Sequence, residues 1–146
     1  VIVGGDANQQ TNMSKLQKQI DDCQLNARVI LAGQQKDVDS YLLKSKIFAF
    51  TSSSEGFPNV IGEAMSAGLP VVAYDCIAGP SDMVIDGENG FLIPLFDQST
   101  FKQRLSQLIK DESLRNKMGH CAKSSICRFG EEFITEQYYE VITRRV

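Results

Sequence analysis

The sequence predicts an α/β protein in which a doubly wound parallel sheet carries helices on both faces. Three observations favour this class. Short apolar runs rich in β-branched residues alternate with amphipathic helical segments along the chain. The apolar runs are uninterrupted, as is typical of strands that are buried on both faces of a parallel sheet. Most of these runs end at a glycine or a polar loop, and a helical segment follows.

The first third of the chain alternates strand and helix. Its strands are predicted at 1–3, 29–32 and 47–50. Its helices are predicted at about 12–23 and 37–43. The first helix has apolar residues at Leu16, Ile20 and Cys23, which recur at the three- and four-residue steps of one helix face. The second helix opens at Asp37 or Asp39, and either side chain can cap it.

The rest of the chain continues the alternation and then becomes mostly helical. Its strands are predicted at 71–74 and 91–93. Its helices are predicted at 59–67, 98–110, 112–127 and 131–143, with a short helical turn at 83–85. Gly68 followed by Pro70 ends the first of these helices. The run from Gly87 to Gly90 predicts a tight turn before the last strand, and Phe91 is expected to close the fold.

Composition and charge narrow the function classes. The chain has 146 residues, which are predicted to form one domain over 1–146. The net charge of −3 and the isoelectric point near 5.1 give no basic surface for nucleic acid, so no nucleic-acid partner is expected. No run approaches the roughly 18 apolar residues of a membrane-spanning helix. The chain begins on an apolar strand without an initiator Met or a signal-peptide pattern, so we expect an excised part of a longer protein.

The four cysteines, Cys23, Cys76, Cys121 and Cys127, predict free thiols. None of them forms a C-x-x-C pair, and the single histidine, His120, cannot complete a set of zinc ligands at a familiar spacing. No metal site is therefore expected. Reduced thiols are typical of the cytoplasm, which is the expected location.

The segment from Ser53 to Ala64 carries the candidate chemistry. It turns at Gly56 and enters a helix whose first amides have no partner within it and whose dipole favours negative charge. A diphosphate lying across Phe57 to Val60 would satisfy both, and the missing Cβ of Gly56 lets a ligand come close. Glu55 and Glu63 flank this turn, and an ionised carboxylate can accept hydrogen bonds from neighbouring sugar hydroxyls. The other interpretation is that such an acid only pairs with the helix dipole.

The same segment resembles a known block. Glu55 and Glu63 match an E-x7-E motif, and the surrounding residues read SSSEGFPNVIGEAMSAGLPVVAYD. This stretch is similar nearly throughout to the PSxxEGFPxxxxEAMAxGxPVVxxD block of the family 4 (group 1) retaining glycosyltransferases. Residues 79–84 and 86–93 resemble the GPSEIIxDGxNGFLV segment of that family. The resemblance runs from about Val1 to the last helix.

The resemblance implies a fold and an activity. The family pairs two Rossmann-like domains across a cleft, the GT-B fold, and its C-terminal domain holds the nucleotide-sugar. This chain would be that C-terminal half, a doubly wound Rossmann-like domain that lacks its first strand and helix. The parent would transfer a sugar from a nucleotide-sugar, expected to be a UDP-sugar, with retention at the anomeric carbon and without a metal or another cofactor.

Site residues follow from the same resemblance. Glu55 would position the transferred sugar, which is the catalytic role, and Glu63 would accept the ribose hydroxyls. Sugar hydroxyls and the diphosphate would be held by backbone amides, those of Gly56, Phe57, Asn59 and Val60. The nucleobase would lie against the loop after the second strand, made of Gly33, Gln34, Gln35 and Lys36. Lys36 has a second interpretation, as a solvated surface charge.

The resemblance also implies parts that this chain lacks. The Arg and Lys that the family directs at the donor phosphates, and its N-terminal acceptor-binding domain, lie upstream of a segment like VIVGGD. We therefore expect the isolated chain to bind donor weakly and to transfer nothing. The GPSD segment is similar to that of members that build bacterial surface polysaccharides. This implies a glycan or lipid-linked acceptor for the parent, which would work in the cytoplasm, peripheral to the inner face of the membrane.

Other classes of protein stay open as alternatives. A non-catalytic nucleotide-sugar-binding relative would keep both acids, and a UDP-sugar 2-epimerase has a related two-domain fold. A receiver-type signalling module needs an aspartate where this chain has Thr51 to Ser53, and Asp6 supplies one acidic partner only. A dinucleotide-binding domain would need G-x-G-x-x-G after the first strand, where this chain has Gly4-Gly5-Asp6.

The C-terminal aromatic residues have two interpretations. Phe129, Phe133, Tyr138 and Tyr139 fall at mixed helical spacing, and packing in the core is the expectation. In the family the last helix crosses towards the other domain, so the alternative is a surface that such a domain covers.

Overall fold

A computed structural model describes residues 1–5 and 12–144 of the chain. These residues form two compact units, divided between Tyr41 and Leu42. Asp6, considered above as an acidic partner of a receiver module, lies outside the described residues. The single domain over 1–146 stays a prediction.

The first unit contains a two-stranded parallel sheet. Its strands are β1 (Ile2–Val3) and β2 (Leu31–Gly33), with α1 (Asn12–Asp22) between them in sequence. The helix α2 (Asp39–Lys44) follows β2. α1 buries Ile20, one of the apolar residues that predicted it.

The second strand begins later than the sequence indicated. The prediction was 29–32, and β2 starts at Leu31. The amide of Val29 donates to the carbonyl oxygen of Leu25 at 2.9 Å in the turn after α1. This bond keeps Val29 in the turn and out of the sheet.

The second unit holds a three-stranded parallel sheet in the order β3-β4-β5. Its strands are β3 (Phe48–Phe50), β4 (Val71–Asp75) and β5 (Gly90–Pro94). Its helices are α3 (Asn59–Ser66), α4 (Pro80–Met83), α5 (Gln98–Lys110), α6 (Glu112–Ser125), a 3₁₀ helix (Ile126–Phe129) and α7 (Glu131–Thr143). Register places Phe48 opposite Val71, and Val71 opposite Gly90.

The central strand β4 is covered on both faces. Its side chains alternate across the sheet, as the geometry of a strand requires. Val71 and Ala73 pack in a cluster formed with α3, the end of α6 and the 3₁₀ helix. Val72 and Tyr74 pack in a second cluster formed with β5, α5 and α6. The prediction of an α/β fold with helices on both faces of a parallel sheet is confirmed for this unit.

Two helical segments differ from their predictions. The short helical turn was expected at 83–85, but α4 ends at Met83, and Val84 is already extended at φ −92° and ψ 122°. The helix starts at Pro80, whose fixed φ suits a first helical position. The long helix predicted at 112–127 is divided into α6 and the 3₁₀ helix.

The last helix, α7, has no buried side chain. Phe133 is 48% exposed, Tyr138 67% and Tyr139 68%, so the expected core packing of these three residues is wrong. Their spacing spreads them around the helix instead of along one face. Phe129, at the end of the 3₁₀ helix, does pack against the first cluster of the core.

The start of α5 is fixed by a charged cap. The Asp97 carboxylate accepts hydrogen bonds from the hydroxyl (2.6 Å) and the amide (3.0 Å) of Thr100. These two bonds lower the pKa of the Asp97 carboxyl below its ordinary value of 3.8. A lowered pKa means that the folded protein holds the ionised form more strongly than the unfolded chain does.

We predict that this cap stabilises the fold only above the pKa of Asp97. Because the folded pKa is depressed, the contribution is complete above 3.8 and disappears as the pH falls through the folded-state value. Urea unfolding of wild type and Asp97→Asn should differ at about pH 6, and the difference should shrink as the pH falls further below 3.8. A difference that does not depend on pH would contradict the charged cap.

A close approach between α6 and the turn before β4 gives a second prediction. A Cβ on Gly119 would lie 2.3 Å from the carbonyl oxygen of Gly68, whereas a Cβ on Gly62 in α3 would meet Ile126 at an ordinary 3.6 Å. Helix propensity alone favours alanine by about 1 kcal/mol at both positions. We expect Gly119→Ala to lower the free energy of unfolding by about 2 kcal/mol, because the backbone must separate.

Gly62→Ala is the matched control. It should leave the free energy of unfolding unchanged or raise it by up to about 1 kcal/mol. Denaturant unfolding of the two variants measures the contrast. Equal stabilities would show that α6 does not pack this closely on Gly68.

Candidate functional site

The loop after β3 leads directly into α3 and is open to solvent. β3 ends at Phe50, so the loop leaves the carboxyl end of a parallel strand, where such sheets bind ligands. Gly56 is exposed, and Phe57 keeps 48% of its surface accessible. Asn59, the first residue of α3, is exposed as well, so the start of the helix is not sealed inside the core.

The start of α3 leaves backbone donors available. Pro58 is the N-cap residue, and no side chain caps the helix. The amide of Asn59 already donates to the carbonyl oxygen of Phe57 at 3.0 Å, and that of Ile61 donates to Pro58 at 2.9 Å. Within the described ranges, no hydrogen bond is made by the amides of Gly56, Phe57 and Val60. The Asn59 amide, also named above as a ligand donor, would have to exchange its partner.

The two flanking carboxylates have no counter-ion within residues 1–5 and 12–144. Glu55 is partly buried and Glu63 is exposed, and neither forms an ion pair among the residues that the structure describes. Glu63 is the fifth residue of α3, beyond the first turn in which a helix dipole acts, so the dipole explanation does not account for it. It lies on the face of α3 opposite Ile61 and Met65, which are buried. Both carboxylates are therefore free to accept hydrogen bonds.

A hollow of about 420 Å³ lies beside α3. Its lining is largely apolar and is formed by Phe57, Asn59, Gly62, Ser66, Met83, Lys123, Ile126, Cys127, Phe129 and Gly130. The rings of Phe57 and Phe129 form one wall, with centroids 6.1 Å apart. The hollow shares Phe57 and Asn59 with the predicted site, whereas Glu55 and Glu63 lie outside it.

Two cations near this wall were not singled out from the sequence. Lys123 lines the hollow. The guanidinium of Arg128 lies 5.0 Å from the ring centroid of Phe129, and it donates a hydrogen bond to the carbonyl oxygen of Asp82 in α4. Arg128 therefore ties the 3₁₀ helix to α4. Its place in an unremarkable helical segment gave no sequence signal for this contact.

A buried asparagine joins three segments close to the hollow, one of which contains the lining residue Met83. Asn89 is fully buried, and its oxygen accepts from the amide of Ile85 at 2.8 Å. Its amide group donates to the carbonyl oxygen of Met83 (3.2 Å) and to the hydroxyl of Ser125 (2.9 Å). One side chain therefore joins the end of α4, the turn before β5 and the end of α6.

The predicted nucleobase loop lies in the first unit. Gly33 has φ +66°, a conformation that glycine adopts without strain. Gln35 is partly buried and donates to the carbonyl oxygen of Ala32, whereas Gln34 and Lys36 are exposed. The role of these residues in binding a base stays a prediction.

All four cysteines are free thiols. Cys76 is buried, Cys121 is partly buried, and Cys23 and Cys127 are exposed. In the part of the chain that the structure describes, no group of three or more His, Cys, Asp or Glu side chains is placed to hold a metal ion. No described helix is long and apolar enough to cross a bilayer.

Comparison with known proteins identifies the family. The family model of the group 1 glycosyl transferases matches residues 1–125. The chain belongs to the group 1 glycosyl transferases. A relative, the lipopolysaccharide core biosynthesis glycosyltransferase LpsE of Rhizobium meliloti, is 32% identical over 144 residues, which are 97% of this chain and 41% of LpsE. An exopolysaccharide phosphotransferase of Streptomyces coelicolor is 33% identical over 135 residues, which are 92% of this chain and 14% of that protein.

A solved structure shares the fold of this chain. The crystal structure of Anabaena HepE in complex with UDP matches with a TM-score of 0.89 and 28% identity, over 97% of this chain and 40% of HepE. The predicted α/β fold of the C-terminal GT-B type is thereby confirmed. The chain spans about two fifths or less of the length of each of these relatives.

The Asn89 bridge gives a test of the wall beside α3. Asn89→Asp keeps the size of the side chain but replaces its donor with an oxygen that faces the Met83 carbonyl, and it adds a charge. We expect the free energy of unfolding to fall by about 3 kcal/mol or more. Asn116→Asp, at an exposed position of α6, is the control and should change it by about 0.5 kcal/mol at most. Equal effects in urea unfolding would remove the bridging role of Asn89.

Proposed function

We propose that this chain is the UDP-sugar-binding domain of a retaining glycosyltransferase that builds a bacterial surface polysaccharide. One observation carries the proposal. Among the described residues, Glu55 and Glu63 have no counter-ion, and they flank an open helix start that offers unused amides. HepE, which shares the fold, forms complexes with UDP and with UDP-glucose.

The helix start supplies the site for the diphosphate. Amides of Gly56, Phe57 and Val60 would donate to phosphate oxygens, and the dipole of α3 favours negative charge at the same place. Negative charge grows on the diphosphate as its bond to the sugar breaks. These donors are already oriented, so they would stabilise the leaving group in the role that a metal ion has in other transferases.

The two acids would contact the two sugar rings of the donor. Glu63 would accept hydrogen bonds from the ribose hydroxyls, and Glu55 would hold the transferred sugar in place. Each charge-assisted hydrogen bond contributes about 1.5–3 kcal/mol, whereas a neutral one contributes about 1 kcal/mol. The acids therefore confer selectivity for a nucleotide-sugar over a bare diphosphate.

The whole reaction requires more than this chain. The chain spans 41% of LpsE, so LpsE contains further sequence beyond the part that this chain matches. The acceptor-binding domain and the cations that face the diphosphate would belong to that further sequence. The isolated chain should bind UDP weakly and should not transfer sugar to an acceptor.

Substitution of each acid by its amide tests the division of roles. Glu63→Gln should weaken UDP binding by about tenfold or more, because the lost bonds are charge-assisted. Glu55→Gln should leave UDP binding unchanged, weaken UDP-glucose binding and lower kcat of the longer enzyme. Calorimetric titration with UDP and UDP-glucose, together with a transfer assay, measures these effects.

The matched control is Glu132→Gln. Glu132 is an exposed acid in the first turn of α7, so it shares the charge and the helical setting of a dipole partner. The Glu132→Gln substitution should leave the affinities for UDP and for UDP-glucose unchanged. If Glu63→Gln behaves like Glu132→Gln, Glu63 does not hold the ribose.

A further inference from the structure

Pro58, which caps α3, rests directly on the backbone of Gly79. A Cβ on Gly79 would lie 2.1 Å from Cδ of Pro58 and 2.9 Å from its Cγ, distances that real Cβ atoms essentially never show. Both residues are buried. The ring of Pro58 therefore occupies the space that a side chain at position 79 would need.

The backbone beneath Pro58 is held firmly in place. Ala78 has φ 64° and Gly79 has φ 116°, so two successive residues adopt conformations that L side chains rarely adopt. Gly79 leads into α4, whose Asp82 amide donates to the Gly79 carbonyl oxygen at 3.1 Å. Arg128 then binds the carbonyl oxygen of Asp82, which links this turn to the 3₁₀ helix.

The position of Pro58 decides where the amides of the helix start point. Pro58 joins Phe57 to the first residue of α3, and its ring fixes φ, so the ring and the backbone move together. A displacement of the ring is thus transmitted to the amides of Phe57 and Val60. Binding of an anion by backbone amides depends on their direction.

We propose that Gly79 is a positioning residue for the diphosphate site: its bare Cα supports Pro58 and sets the direction of the amides at the start of α3. In this proposal Gly79 acts through Pro58 and does not contact the donor. The inference rests on the proposed function for the identity of the ligand. Its geometric part, the support of Pro58, holds for the protein without ligand.

Gly79→Ala tests the inference with Gly87→Ala as its control. Both glycines have positive φ, +116° and +77°, so alanine is strained at both, but a Cβ on Gly87 would meet nothing within 4 Å. Gly79→Ala must push Pro58 away by about 1 Å, and misplacement of that size is known to cost up to about a hundredfold in function. We expect the Kd for UDP to rise at least about tenfold in Gly79→Ala and to stay unchanged in Gly87→Ala. Calorimetric titration of the full-length protein that contains this chain measures both values.

A double variant separates positioning from general damage to the fold. In Pro58→Ala the Cγ and Cδ atoms of the proline ring are absent. The nearest remaining neighbour of a Cβ at position 79 is then the backbone nitrogen of residue 58, at 3.4 Å. Gly79→Ala should then have little further effect on Kd in the Pro58→Ala background. An equal loss with and without the proline ring would overturn the inference.

Amide chemical shifts of the ligand-free protein give a readout that does not depend on UDP. Gly79→Ala should shift the amides of Phe57 and Val60, and Gly87→Ala should not. Unmoved amides in Gly79→Ala would overturn the support of Pro58, even if UDP binds to wild type. Shifted amides in a protein that does not bind UDP would instead retain that support and reject the proposed function.

Discussion

Burial of β4 on both faces is the constraint on which the second unit depends. Residues 71–74 are all buried, and alternate side chains belong to opposite clusters. A shift of register by one residue would exchange the two sets, so the strand has a single place in the sheet. β3 lies parallel to it, and the loops that follow the two strands leave the same edge. That edge is where Pro58 meets Gly79 and where α3 begins.

The site combines a rigid frame with polar groups that the fold leaves unused. Asn89, which is fully buried, makes three hydrogen bonds within the fold. At the start of α3, by contrast, the amides of Gly56 and Phe57 have no hydrogen-bond partner and Glu55 forms no ion pair within the described part of the chain. Local rules of stability are often broken at functional sites, because a ligand supplies the missing partners. The contrast between Asn89 and the helix start supports a binding role for the latter.

Sequence patterns predicted the elements of the sheet better than the contacts of the site. Uninterrupted apolar runs indicate strands buried on both faces, and β4 shows this pattern. The start of β2 was misplaced because Val29 has strand propensity but its amide is bonded within a turn. Glu55 and Glu63 stand out by their spacing around a glycine turn. The support of Pro58 by Gly79 joins residues that are distant in sequence, and local patterns carry no information about such a contact.

The absence of buried side chains in α7 limits how far the cooperative fold extends. A helix of 13 residues is only marginally stable in water without tertiary packing. Ala122 and Ile126 belong to the first cluster of the core and Phe129 packs against it, so the chain up to Phe129 is tied to the opening of that cluster. Beyond that point, local fraying of the backbone is uncoupled from global unfolding. The thermodynamic boundary of this unit therefore falls near Gly130, before the last helix begins.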